Sequence, residues 1–137
     1  QFAEGYGTTE VGSLATDSGE MYTGVEFKLV DVPELGYLET WVYGPRVLVV
    51  NFSARDKPYP RGELYVKTKT MIEGYYKNEE ENKKQFDEEG WFKTGDIVEL
   101  IGLSKIRIID RKKNIFKLAQ VSYFSFLNNV PFTEIVY

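Results

Sequence analysis

Tyr6-Gly7-Thr8-Thr9-Glu10 sets an aromatic ring, two hydroxyls and a carboxylate within five residues, and Gly5 precedes the ring. Glycines on either side of an aromatic let backbone approach a flat ligand closely. The hydroxyls can donate to phosphate oxygens, and the carboxylate can hold magnesium directly or through water. An ordinary turn with a capping threonine is the competing reading, and the simpler one for this pentapeptide alone. Thr94-Gly95-Asp96 stands at the mouth of an apolar run, where an acceptor-only carboxylate can take two hydrogen bonds from a vicinal diol such as a ribose. A turn aspartate satisfying its own backbone is the competing reading, and the simpler one for this motif alone. Asp110 is followed by Arg111, Lys112 and Lys113, with Lys117 beyond, which puts four cations within seven residues. Arg111 can offer a planar fork to oxygen acceptors, so the cluster reads as a phosphate and ribose grip or as a solvated charged loop.

Composition removes other chemistries. With no Cys and no His, disulfides, thiolate nucleophiles, Ser-His pairs and zinc sites are excluded. A net charge of -4, with no broad basic stripe, argues against nucleic acid as a partner. No apolar run approaches the roughly 20 residues of a membrane-spanning helix. The absence of Cys fits an intracellular protein, in the cytoplasm or peripheral to a membrane. At 42% hydrophobic and 15% aromatic, the 137 residues can bury a real core.

The elements that must position these residues follow from periodicity. GYGTTEVG, from Gly5 to Gly12, reads as a glycine-punctuated turn. Val25, Phe27 and Leu29 alternate with Glu26, Lys28 and Val30, the pattern of a half-buried strand. Leu64 and Val66 share one face of ELYVKT. Asn78 is a helix N-cap with Glu81 as its capping-box partner; Glu79/Lys83 and Glu80/Lys84 are i,i+4 pairs. Phe86 anchors that helix and Gly90 ends it. WFKTG is a turn before a strand from Ile97 to Ile101. A second strand from Ser104 to Ile109 carries Ile106 and Ile108 on one face, and DRKK is a charged connector. The coarse reading is a β-rich α+β chain.

Each cluster alone is weak, but their order is specific. GYGTTE, RGELYVKT, EGYYKNEEEN, GWFKTGD and IIDRKKNIFKLAQ together resemble the core motif series of the adenylate-forming (AMP-binding) superfamily. That superfamily contains acyl-CoA synthetases, luciferases, peptide-synthetase adenylation domains and carboxylic acid reductases. The resemblance implies the C-terminal part of the large domain at 1–109 and, at 110–137, the hinge and truncated start of the small C-terminal domain. It further implies that Tyr6 stacks on adenine, with Glu4, Gly5, Gly7 and Thr8 lining the nucleotide site. Thr9 matches the hydroxyl on the α-phosphate and Glu10 the carboxylate that positions Mg2+. Asp96 matches the acid that holds the ribose hydroxyls. Ile108, Ile109, Asp110 and Arg111 match the strand end bordering the nucleotide, with Arg111 at the ribose and Asp110 in the hinge. Lys117 matches a lysine that reaches the adenylate.

The implied reaction needs no His or Cys, because the substrate carboxylate is itself the nucleophile on the α-phosphorus. Catalysis is positioning and charge stabilisation, with ATP and a fatty acid giving acyl-AMP and CoA taking the acyl group. Two departures bear on activity. The family's phosphate loop upstream of GYGTTE is absent, and no Lys follows Lys117 to match its C-terminal catalytic lysine. The chain is therefore expected to be an internal piece of the enzyme, inactive and poorly soluble alone. Residues 41–55 read as an atypical insertion, since joining Thr40 to Asp56 gives the family-like run LETDKPYPRGE. This stretch and 121–137 have the texture of retained non-coding sequence.

Within the family, IIDRKKNIFKLAQ resembles long-chain acyl-CoA synthetases. KLVDVPELGY, DKPYPRGELYVKT and GYYKNEE are more similar to the adenylation domain of carboxylic acid reductases. That domain hands its acyl group to a carrier-bound phosphopantetheine, with the carrier domain in cis. A non-enzymatic β-rich binding module is the alternative outside the family.

Overall fold

A computed structural model describes residues 5–33 and 59–117. Glu4, the 41–55 stretch and the 121–137 tail lie outside the described residues. The fold is sheet-rich α+β. A hairpin of β1 (Gly5–Thr8) and β2 (Gly12–Thr16) accompanies a four-stranded antiparallel sheet. The sheet contains β3 (Glu26–Val30), β4 (Arg61–Lys67), β5 (Phe92–Leu100) and β6 (Ile106–Arg111), in that order. One helix, α1 (Glu79–Gln85), lies between β4 and β5 in the chain, and residues 112–117 form a helical segment after β6.

Alternation explains the sheet. Phe27 pairs with Val66 and Leu29 with Leu64, so the inward face of β3 and β4 is continuous. All four are at most 1% exposed, and each such side chain contributes about 1.5–3 kcal/mol by leaving water. Val11 and Leu14 from the hairpin join the same cluster with Val98 and Ile106. One core therefore fixes the hairpin against the sheet.

The structure corrects the expected pattern of β3. Its outward Lys28 is also buried: Nζ lies 2.9 Å from Asp87 Oδ2 and 4.9 Å from the centre of the Trp91 ring. Two acids and an indole replace its water, so both faces of the strand are covered. The first half of GYGTTEVG is strand rather than turn, because Gly5 to Thr8 pair with β2. Gly7 makes this possible, since a Cβ there would lie 2.4 Å from the Gly12 carbonyl oxygen.

Phe92 to Gly95 of WFKTG are likewise strand rather than turn. Glu63 faces Ile97 while Tyr65 faces Lys93, so β5 carries two extra residues opposite β4. This bulge holds Thr94, Gly95 and Asp96. The Thr94 hydroxyl donates to the Leu64 carbonyl at 2.8 Å and accepts from the Asp96 amide at 3.1 Å. Gly95 supplies the positive φ of 73° that the bulge requires. A second irregularity adds Ile109 to β6, since Ile97 faces Asp110 but Val98 faces Ile108. Ile106 and Ile108 lie before that irregularity and line one groove, as expected of one face, with Ile106 buried and Ile108 46% exposed. Asp110 and Arg111 end β6 rather than forming a connector.

Asn78 caps α1 as expected, its Oδ1 accepting from the Glu81 amide at 3.1 Å. The Glu81 carboxylate instead accepts from Gln85 at 3.1 Å, so the box is one-sided. Lys84 pairs with Glu80 at 3.0 Å. The helix stops at Gln85, before the expected Gly90, because Phe86 turns extended and meets Phe92 edge-on at 5.5 Å.

Candidate functional site

Tyr6, Asp96 and Arg111 meet. The Tyr6 hydroxyl donates to Asp96 Oδ2 at 2.6 Å, and Arg111 Nε lies 2.8 Å from Asp96 Oδ1. Each is delivered by a different strand. β1 brings Tyr6 over the sheet, the β5 bulge lifts Asp96, and the register sets Arg111 opposite it. Asp96 is only 4% exposed, yet its charge is compensated from two sides. A carboxylate offers about four lone-pair directions, so both oxygens retain capacity to accept from a diol. Burial, and then the Asp96 carboxylate, push the Tyr6 hydroxyl well above its ordinary pKa and keep it a donor.

Two clefts flank this triple. An apolar groove of about 340 Å³ runs along Gly5, Tyr6 and Ala15 on one side and Ile106 and Ile108 on the other. A polar cleft of about 340 Å³ collects Thr8, Thr9, Glu10, Tyr75, Thr94 and Arg111. The hairpin turn supplies the first three. Thr8 accepts from the Val11 amide at 3.3 Å, so the capping role weighed for a threonine here is real. Glu10 is held below the usual carboxylate range by its own amide, then by the Tyr75 hydroxyl, which donates to Oε1 at 2.9 Å. Arg111 adds to that lowering.

Sequence reasoning missed Tyr75. Its partner is 65 positions away, and nothing local in GYYKN marks one tyrosine over its neighbour. The loop is set by α1: Asn82 Oδ1 accepts from the Tyr75 amide at 2.6 Å and Asn82 Nδ2 donates to its carbonyl at 3.2 Å. The Ile72 amide also donates to the Glu10 carbonyl at 2.9 Å. A capped helix thus holds an asparagine, which holds a tyrosine, which holds the carboxylate.

The other expected residues are less closely gathered. Ile109 is 41% exposed and lines neither flanking cleft, unlike Ile108. Asp110 stands just before the segment at 112–117, its Oδ1 accepting from the Arg111 amide at 2.6 Å and from Asn114 Nδ2 at 3.0 Å. Lys117 is exposed at the end of that segment, and it too lines neither cleft. Among the described residues, no three His, Cys, Asp or Glu cluster as a metal cage. A single carboxylate still fits magnesium, which keeps several waters and takes most remaining ligands from substrate phosphates.

No protein-family model matches the chain. It is 42% identical over 118 residues to carboxylic acid reductase of Mycobacterium tuberculosis, covering 85% of this chain and 9% of that protein. It is also 42% identical over 130 residues to the peroxisomal long chain acyl-CoA synthetase 7 of Arabidopsis thaliana, covering 88% of this chain and 16% of that protein. The chain belongs to the adenylate-forming superfamily. It overlays the adenylation domain of carboxylic acid reductase from Segniliparus rugosus, solved in complex with AMP and a co-purified carboxylic acid, with a TM-score of 0.65 at 38% identity. That match covers 82% of this chain and 16% of the solved chain. The sheet-rich α+β fold is that of the C-terminal part of adenylate-forming domains. No helix among the described residues is long and apolar enough to cross a membrane.

Proposed function

We propose that this chain forms the nucleotide wall of an acyl-activating active site, which joins AMP to a fatty acid and passes the acyl group to CoA. The observation that carries this reading is the convergence on Asp96 of Tyr6, from 90 positions away, and Arg111. The Tyr6 ring and Ile108 offer adenine an apolar groove, and Asp96 takes the ribose hydroxyls. Thr9 donates to the α-phosphate and Glu10 holds magnesium, which offsets phosphate charge when bound. Gly5, Gly7 and Thr8 complete the wall, Asp110 marks the start of the hinge, and Lys117 acts from the segment beyond it. The substrate carboxylate attacks the α-phosphorus and pyrophosphate leaves. The acceptor thiol then attacks the acyl carbon and AMP leaves. These residues position and neutralise; none is a nucleophile.

AMP titration of the intact protein tests the reading. Asp96→Ala should abolish binding while the fold persists by circular dichroism. Undiminished AMP affinity in that variant would sink it, and absence of any pyrophosphate release with fatty acids would favour a binding module.

A second reading is favoured by the overlay on a carboxylic acid reductase domain, in which the acceptor is a carrier-bound phosphopantetheine. Acyl transfer assayed with CoA and with a phosphopantetheinylated carrier separates the two.

A further inference from the structure

Arg111 also borders a further cleft of about 450 Å³. Lys84, Lys93, Arg111, Lys112 and Lys113 line it, against one carboxylate, Glu63. That balance is unusual in a chain of net charge -4. Two of the five cations are firmly paired: Arg111 with Asp96 at 2.8 Å and Lys112 with Glu63 at 2.7 Å. Lys84 is held only by exposed pairs to Glu80 and Glu81, at 3.0 and 3.8 Å, which are individually weak. Lys93 and Lys113 have no carboxylate partner among the described residues. Gly95 leaves the bulge open, with no heavy atom within 4 Å of where a Cβ would stand. Tyr65 and Phe116 give the cleft aromatic edges.

We infer that this cleft binds a phosphate group of charge -2 or more, with Lys93 and Lys113 as its principal cations. Compact ammonium groups on flexible stems suit such an anion, and a partly enclosed cleft screens them less than open surface does. This cleft adjoins the polar cleft, sharing Gln85, Thr94 and Arg111 with it, and the inference does not depend on the nucleotide assignment. The phosphate has two possible sources: the tail of a nucleotide reaching past Arg111, or a second phosphorylated molecule.

Calorimetric titration of the intact protein with inorganic pyrophosphate tests this. Saturable binding is expected that weakens with salt and falls at least tenfold in the Lys93→Ala/Lys113→Ala double variant. Glu63→Gln should change affinity in the opposite direction, raising it severalfold, because it removes the only carboxylate and frees Lys112. The source is read from nucleotides: a parallel loss of ATP but not AMP affinity in the double variant assigns the nucleotide tail. Unchanged ATP affinity, with pyrophosphate still binding wild type beside saturating AMP, assigns a second molecule. No saturable pyrophosphate binding at physiological ionic strength, or binding indifferent to the double variant, overturns the proposal. Failure of AMP binding alone would strike the nucleotide reading and leave this one standing.

Discussion

The Tyr6 hydroxyl donates to Asp96 across 2.6 Å, joining a hairpin residue to a strand bulge 90 positions later. Tyr6→Phe keeps the ring and removes this bond to a buried charge. Chemical denaturation should show a loss of about 1.5–3 kcal/mol. AMP affinity should fall less than in Asp96→Ala, since the apolar groove survives.

If Glu10 holds magnesium as proposed, Tyr75→Phe should leave the fold intact and weaken the metal. Removing a partner that orients a metal-binding carboxylate costs about 10–100-fold in metal affinity or activity. The magnesium concentration for half-maximal pyrophosphate release by the intact protein should rise accordingly. Asn82→Ala should act in the same direction by loosening the Tyr75 backbone. A magnesium dependence unchanged in both variants would remove Tyr75 from the site.

Acid should unfold the protein through Glu99. Burial pushes its carboxyl up, but hydrogen bonds from Arg107 and Arg61 outweigh that and hold it below the usual range. A folded pKa below the unfolded one stabilises the protein above about 4.3, the ordinary glutamate value. That contribution is lost as pH falls through the folded value. Thermal midpoints should therefore be flat in this term from neutral pH to about 5 and drop at lower pH, with a shallower drop in Glu99→Gln.

Alkali should act through the tyrosines. Burial pushes Tyr65 up to about 12, and burial with the Glu10 hydrogen bond does the same for Tyr75. A raised folded pKa gives stability that is complete below about 10 and declines as pH rises towards 12. Absorbance at the phenolate band should titrate late, together with unfolding.

Much of the site was legible because motif order specifies it: Tyr6, Asp96 and Arg111 could be named from the chain and do converge. What was hidden arose from tertiary context. The bulge at Gly95 leaves no periodic trace, so WFKTG read as a turn. Lys28 fitted an outward position because alternation cannot reveal that Trp91 will cover it. Tyr75 was hidden because a hydrogen bond formed across 65 residues has no local signature.

Asp96 and Arg111 are direct partners on the β5–β6 ladder. The separation of their backbones is therefore set by interstrand spacing, about 4.8 Å, and not by the connection at 101–105, and it lets the side chains meet at 2.8 Å. That connection can vary in length without disturbing the pair. A slip of one residue between the two strands would instead send the guanidinium to the far side of the sheet and leave the acid facing a different neighbour.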